Sequence, residues 1–200
     1  MKLMVLDGNS IVNRAYYGVG KARLLTTRQG LHTNAIYGFV TMLQKLLDQE
    51  KPDAVCAAFD RQEPTFRHKA DAAYKANRKG MPEELAEQML PLKQVLDAMS
   101  VPCYELSGYE ADDLIGTISR KCEAAGWDCT IATGDRDALQ LVGDQVTVLL
   151  AATKMGRPET TVFDRAAIEE KYGLQPEQLI DLKALMGDTS DHIPGVPGGG

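Results

Sequence analysis

Lys2-Leu3-Met4-Val5-Leu6-Asp7 is a short, unbroken apolar run that stops at an aspartate, and the chain repeats that grammar twice. Ala54-Val-Cys-Ala-Ala-Phe-Asp60 and Cys129-Thr-Ile-Ala-Thr-Gly-Asp135 are the other two copies. A strand that is apolar at consecutive positions has both faces covered, the condition of a parallel sheet between helical layers. Helical spacing lies between the runs. Ala35 to Leu47 carries Ile36, Phe39, Val40, Leu43 and Leu47. Pro82 starts a second helix through Leu85, Met89, Leu92, Val95, Leu96 and Met99, and Tyr109 to Ala125 reads as a third, ended by Gly126. Strand and helix in alternation predict an α/β fold with a mostly parallel central sheet flanked by helices. Val146–Leu150 and Thr161–Phe163 read as weaker strands, and helices are expected near Asp164–Tyr172 and Pro176–Met186.

In sheets of this kind ligands lie beyond the carboxyl ends of the strands, so Asp7, Asp60 and Asp135 are expected to face one crevice. Six further acids sit where they could join them: Glu110, Asp112 and Asp113 at a helix start, Asp137 in a turn, and Asp188 and Asp191 after Gly187. Singly, each has an ordinary explanation in a helix dipole, a cap or a turn. Together they repel, by roughly 1 kcal/mol per pair at ~4 Å in water and by several in a dry cleft. Either some of them hold protons or divalent cations lie among them. Oxygen ligands without His or Cys select hard ions such as Mg²⁺ or Mn²⁺, and room for two ions suits a phosphodiester.

The 200 residues carry 22 Lys and Arg against 28 Asp and Glu, a net charge of −6 that taken alone argues against a nucleic-acid partner. The distribution argues otherwise. From Gly8 to Leu47 there are five basic residues (Arg14, Lys21, Arg23, Arg28, Lys45) and no acid. Arg61, Arg67, Lys69, Lys75, Arg78 and Lys79 face only Glu63 and Asp71 between 61 and 79. Setting the nine candidate ligands aside leaves the other acids outnumbered by the basic residues. Interleaved with Tyr16, Tyr17, Tyr37, Phe66 and Tyr74, such stretches suit a polyanion with flat bases; a solvated basic face with core aromatics is the alternative. Residues 61–81 have little apolar period and form a connection long enough to be functional or disordered.

Composition sets the outer bounds. Hydrophobic residues at 44% and charged residues at 25% are those of a globular protein, without an apolar run long enough for a bilayer and without an export signal before Asp7. Four cysteines, at 56, 103, 122 and 129, show neither zinc spacing nor a C-x-x-C pair, and read as small buried hydrophobes in a reducing cytoplasm.

Eight stretches, in order, resemble the 5′ nuclease domains of bacterial DNA polymerase I, within the flap endonuclease group. They are Leu6-Asp-Gly-Asn-Ser10, Gly30-Leu-His-Thr-Asn34, Ala58-Phe-Asp60, Thr65-Phe-Arg-His68, Tyr74-Lys-Ala-Asn-Arg78, Gly108-Tyr-Glu-Ala-Asp-Asp-Leu-Ile-Gly116, Thr133-Gly-Asp-Arg-Asp137 and Gly187-Asp-Thr-Ser-Asp-His-Ile-Pro-Gly-Val-Pro-Gly198. The resemblance implies a PIN-like 5′ nuclease fold over 1–186, with 61–81 as a helical arch, and the start of a helix-hairpin-helix over 187–200. It implies two or more Mg²⁺ or Mn²⁺ ions. Asp7, Asp60, Glu110 and Asp112 match the acids of the first, and Asp135, Asp137 and Asp191 those of the second, with Asp113 and Asp188 nearby. Lys75 and Arg78 match the basic arch residues that meet the scissile phosphate; Arg14, Tyr17, Arg67 and Tyr74 are candidate DNA contacts, with a surface arginine and a core tyrosine as the ordinary alternatives. Gly195 and Gly198 belong to a hairpin whose backbone N–H groups hold duplex phosphates. The implied partners are DNA flaps, nicks and 5′ ends, and a polymerase domain on the C-terminal side, with no membrane. Gly199 and Gly200 stand where the family continues into a second helix, so a shortened chain is expected. Two rival functions follow from the same residues: a non-catalytic binder of branched DNA, and a Mg²⁺ phosphatase with Asp7 as nucleophile. The latter lacks a second aspartate at the same strand end.

Overall fold

A computed structural model describes residues 1–18, 25–78, 80–154 and 157–198. Lys21, Arg23, Lys79, Gly199 and Gly200 lie outside them. Strand β1 (Lys2–Asp7) runs without a loop into helix α1 (Gly8–Gly18), and α2 (Asn34–Glu50) leads to β2 (Ala54–Ala58). A short helix α3 (Phe66–Ala70) precedes α4 (Glu83–Ala98) and the two-residue strand β3 (Cys103–Tyr104). Then come α5 (Ala111–Ala124), β4 (Asp128–Thr133), a 3₁₀ helix (Arg136–Leu141), the hairpin of β5 (Val146–Lys154) and β6 (Arg157–Phe163), α6 (Arg165–Tyr172) and α7 (Gln178–Met186).

The six strands lie in the order β3-β2-β1-β4-β5-β6, all neighbours parallel except the final antiparallel pair. The mostly parallel sheet expected from the apolar runs is present. Alternate residues of β1 serve the two layers: Met4 and Leu6 pack with Phe39, Leu43, Leu92 and Leu96 of α2 and α4, whereas Val5 packs with Ile115, Ile131 and Val148 on the side of α5. Both faces are dry, which is why the strand reads as continuous hydrophobe rather than alternating. Chain order reverses between β1 and β4, and at that switch point the flanking connections leave to opposite sides and open a crevice.

Three elements depart from the sequence reading. Helix α1 follows Asp7 directly, through Gly-Asn-Ser, with Ile11, Val12 and Ala15 turned inward; a helix so short, beginning on turn-forming residues, carries little periodic signal. The third helix begins at Ala111 rather than Tyr109, because Glu110 is still extended. Residues 61–78 are not simply a loop, since α3 lies within them. Of the cysteines, 56, 122 and 129 are buried, Cys103 is half-buried, and all four are free thiols. Among the described residues no helix is long and apolar enough to cross a membrane.

Gly8 is where β1 turns into α1. A Cβ there would lie 2.3–2.6 Å from the ring of Phe59, itself fully buried. Gly8→Ala is therefore expected to destabilise the fold by about 2 kcal/mol, read as a lower urea midpoint at unchanged slope. An unchanged midpoint would mean that the ring has room to move.

Candidate active site

The carboxyl ends of β1 and β4 and the starts of α1 and α5 enclose a cleft of about 1730 Å³. Asp7, the last residue of β1, is buried at its floor. One carboxylate oxygen accepts the Ser10 amide (3.0 Å) and the other the Thr133 hydroxyl (2.6 Å), so β1, α1 and β4 are joined through one side chain. Burial drives its pKa up to about 6 against those two bonds, and the charges of Asp60 and Asp135 push the same way. Asp60 is open to solvent. It accepts the Ala111 amide (2.6 Å) at the start of α5 and exchanges hydrogen bonds with Asn9 (2.9 and 3.2 Å). Asp135 accepts the Asp137 amide and so caps the 3₁₀ helix. Asp112 is reached by solvent, yet it sits inside the concavity, where protein displaces bulk water. Desolvation first, then Asp7, Asp135 and Asp60, raise its pKa to about 7, with Lys75 opposing.

Cationic side chains hold five of the remaining acids. Buried Glu110 accepts the Tyr74 hydroxyl (3.0 Å) and the Lys75 ammonium (2.9 Å). Burial pulls the Lys75 pKa down, but Glu110 and Tyr74 outweigh it, and the net shift is upward. Burial lifts the Tyr74 phenol to about 12. Arg67 grips Asp113 through two nitrogens at 2.8 Å, a bidentate bond that lowers the carboxylate pKa. Arg78 pairs with Asp191. Lys183 bridges Asp137 (2.6 Å) and Asp188 (2.9 Å). At Asp188 burial is outweighed by the Ser190 hydroxyl and amide and by Lys183, so its pKa falls to about 2.

Residues 71–78 are laced to the loop after α7. The Lys75 amide donates to the Asp191 carbonyl (2.9 Å), Asn77 to the Thr189 carbonyl (2.9 Å), and the Asp188 and Ile193 backbones close that loop on itself (2.8 Å each way). Lys75 adopts a left-handed backbone, φ 55°, which aims its amide at one segment and its ammonium at another.

The nine acids expected from sequence therefore line one cleft, together with Lys75, Arg78, Arg67 and Tyr74. They do not converge on a point: among the described residues no three His, Cys, Asp or Glu side chains are gathered closely enough to share one ion. The donor set is all oxygen and carries uncompensated charge at Asp7 and Asp112, which suits a hard cation; ligation requires the paired cations to move aside.

Arg14, Tyr17, Gly195 and Gly198 do not line the cleft. Arg14 donates to the Gly134 carbonyl (3.3 Å), behind the turn that carries Asp135. Tyr17 is exposed and stands edge-on to Tyr16. Gly195 passes so close to α7 that a Cβ would lie 2.3 Å from the Met186 carbonyl oxygen, whereas Gly198 is open, with φ 82°. Asn9, Ser10, Thr133 and Lys183 support the acids, a role not expected for them from the sequence. The first three at least lie beside acids already singled out, while a lone lysine on a helix gives no signal.

Comparison with known proteins bears on the family and the fold. DNA polymerase I of Bacillus caldotenax is 47% identical over 197 residues, covering 98% of this chain and 22% of the relative. DNA polymerase I of Bacillus subtilis is 46% identical over 199 residues, covering 100% and 22%. The chain thus spans about a fifth of the length of the curated relatives it matches. Among solved structures, the T5 5′-exonuclease with bound zinc ions superposes with a TM-score of 0.75 over 99% of this chain and 71% of that one; at 24% identity this likeness shows the fold. A family model described as "5′-3′ exonuclease, N-terminal resolvase-like domain" matches residues 2–173, the whole sheet with its crevice at the switch point, and the chain belongs to that family.

Proposed function

We propose that the chain is a divalent-metal-dependent, structure-specific 5′ nuclease, hydrolysing DNA phosphodiesters near 5′ ends and at branched 5′ flaps during primer removal and repair. The observation that carries the reading is the cleft itself: nine carboxylates from five parts of the chain, rimmed by Arg67, Lys75 and Arg78. Mg²⁺ or Mn²⁺ would be held by Asp7, Asp60, Glu110 and Asp112 on one side and by Asp135, Asp137 and Asp191 on the other, with Asp113 and Asp188 alongside. Such ions supply charge neutralisation at the phosphate and a lowered pKa for an attacking water.

The protein's own part is positioning and charge. Lys75 is kept protonated by Glu110, so it can meet a phosphate oxygen as a full cation. Arg78 is half exposed at the rim, placed to exchange Asp191 for phosphate. Tyr74 holds Glu110 in orientation. Arg14, Tyr17 and Arg67 would contact the DNA backbone or bases, and Gly195 and Gly198 would present amides to duplex phosphates, with residues 187–200 opening a helix-hairpin-helix next to the catalytic unit 1–186. The relatives' name supports a polymerase domain as the C-terminal partner, and the free thiols support a reducing cytoplasm.

Incubating the protein with 5′-labelled flap DNA, with and without Mg²⁺, tests the reading. Short labelled product only with the metal is expected. Binding without any metal-dependent product would instead establish a non-catalytic binder of branched DNA.

A further inference from the structure

We propose that Phe66 and Tyr109 form a stacking platform for one unpaired nucleobase at the mouth of the cleft. The proposal rests on the nuclease reading and adds to it the place where the single-stranded part of the substrate is gripped. Both residues are large, and each leaves 47% of its surface to solvent. Their ring centroids are 5.7 Å apart at an interplanar angle of 58°. The main chain sets that spacing: the Phe66 amide donates to the carbonyl of Gly108, the residue before Tyr109 (3.0 Å). Arg67 lies over the Phe66 ring, 4.5 Å from its centroid, with its guanidinium held in plane by the bidentate bond to Asp113. The main chain and Arg67 thus set where the Phe66 ring stands, with Tyr109 beside it.

Charge decides what fits there. Phe66 lines the same cleft as Arg67, Lys75 and Arg78, so the group that covers the rings arrives among cations. A nucleotide satisfies both demands at once, with a flat base for the rings and a phosphate for Arg78, whose side chain is half exposed. Inside a duplex each base has both faces covered by its neighbours, whereas an unpaired base in a single-stranded arm can turn a face to the rings. Of the other aromatics expected to stack, Tyr17 and Tyr37 are exposed but do not line this cleft, and the remaining two have no free face. Tyr74 is buried with its hydroxyl on Glu110, and Tyr16 is packed against the core.

The test uses a flap DNA carrying 2-aminopurine at successive positions of its single-stranded 5′ arm, in Ca²⁺ buffer. The wild type is expected to quench the probe at one position. Phe66→Leu and Tyr109→Leu should each relieve the quench and weaken flap binding about tenfold, leave a nicked duplex without an arm bound as before, and keep the wild-type thermal midpoint. Phe66→Trp should restore both signals. An abasic nucleotide at the quenched position should cost the wild type about tenfold and Phe66→Leu nothing further. Unchanged quench and affinity in both leucine variants, with Mg²⁺-dependent cleavage intact, overturns the platform and leaves the nuclease reading standing. Equal losses on the arm-free duplex overturn it too, as does a change confined to self-association in light scattering, which would make the rings a contact between copies. Failure of the wild type to bind or cut flap DNA overturns both readings.

Discussion

Asp7→Asn is expected to lower Mg²⁺-dependent cleavage of flap DNA by at least about a thousandfold while making the metal-free protein more stable at pH 8. The two effects share one cause. Asp7 is buried and its pKa is raised from 3.8 to about 6, so between those values the folded chain binds more protons than the unfolded one. For a raised carboxyl the sign is negative: its contribution to stability falls as pH climbs through that window and stays low above it. Asparagine has the same shape: its amide oxygen can accept from Ser10 while its NH2 donates to the Thr133 hydroxyl, the direction of that bond reversed, without the charge. The rise in thermal midpoint should be largest near pH 8 and should fade as pH falls from about 6 to about 4; each 1 kcal/mol is worth about 2–4 °C in a chain this long. Saturating Mg²⁺ should narrow the gap by stabilising the wild type alone. A variant no more stable than wild type at pH 8 would mean that the buried charge costs the fold nothing, and one that still cleaves would remove Asp7 from the metal site.

Lys75→Ala should slow turnover by about a hundredfold and change the affinity for uncut DNA by less than about threefold. Lys75 is a single, oriented cation at the place where phosphate charge develops, the kind of donor whose loss costs about 10²–10³ in rate. Its contribution to binding is small, because in the free protein it is already satisfied by Glu110 and exchanges one anion for another. Single-turnover rates and equilibrium binding in Ca²⁺ separate the two. Equal losses in both would make Lys75 a binding residue and nothing more.

What the sequence disclosed and what it concealed divide along physical lines. β1, β2 and β4 were legible because a doubly covered strand must be apolar at every position, and their aspartates because a carboxylate ending such a run has no packing reason to be there. The two-residue strand β3 is too short to have a pattern. The start of α3 and the turns over 71–78 are fixed by polar contacts to distant parts of the chain, Gly108 and Thr189 among them, rather than by a core stripe, so no periodicity marks them. The acids were legible as a set but not their present partners. Nothing in the spacing of Lys183 tells that its ammonium lies between Asp137 and Asp188. Phe66 and Tyr109 both stand in stretches quoted from the sequence, but nothing in their spacing tells that the two rings meet.

The floor and the roof of the cleft are built on different forces. The floor is the hydrogen-bonded centre of a parallel sheet, with Asp7 and Thr133 tying two strands together. Over it, residues 71–78 are fastened to the loop after α7 partly by exposed ion pairs such as Arg78 with Asp191. Dissolved electrolyte screens the second kind of bond and barely touches the first. Added salt is therefore expected to loosen the roof before it touches the floor.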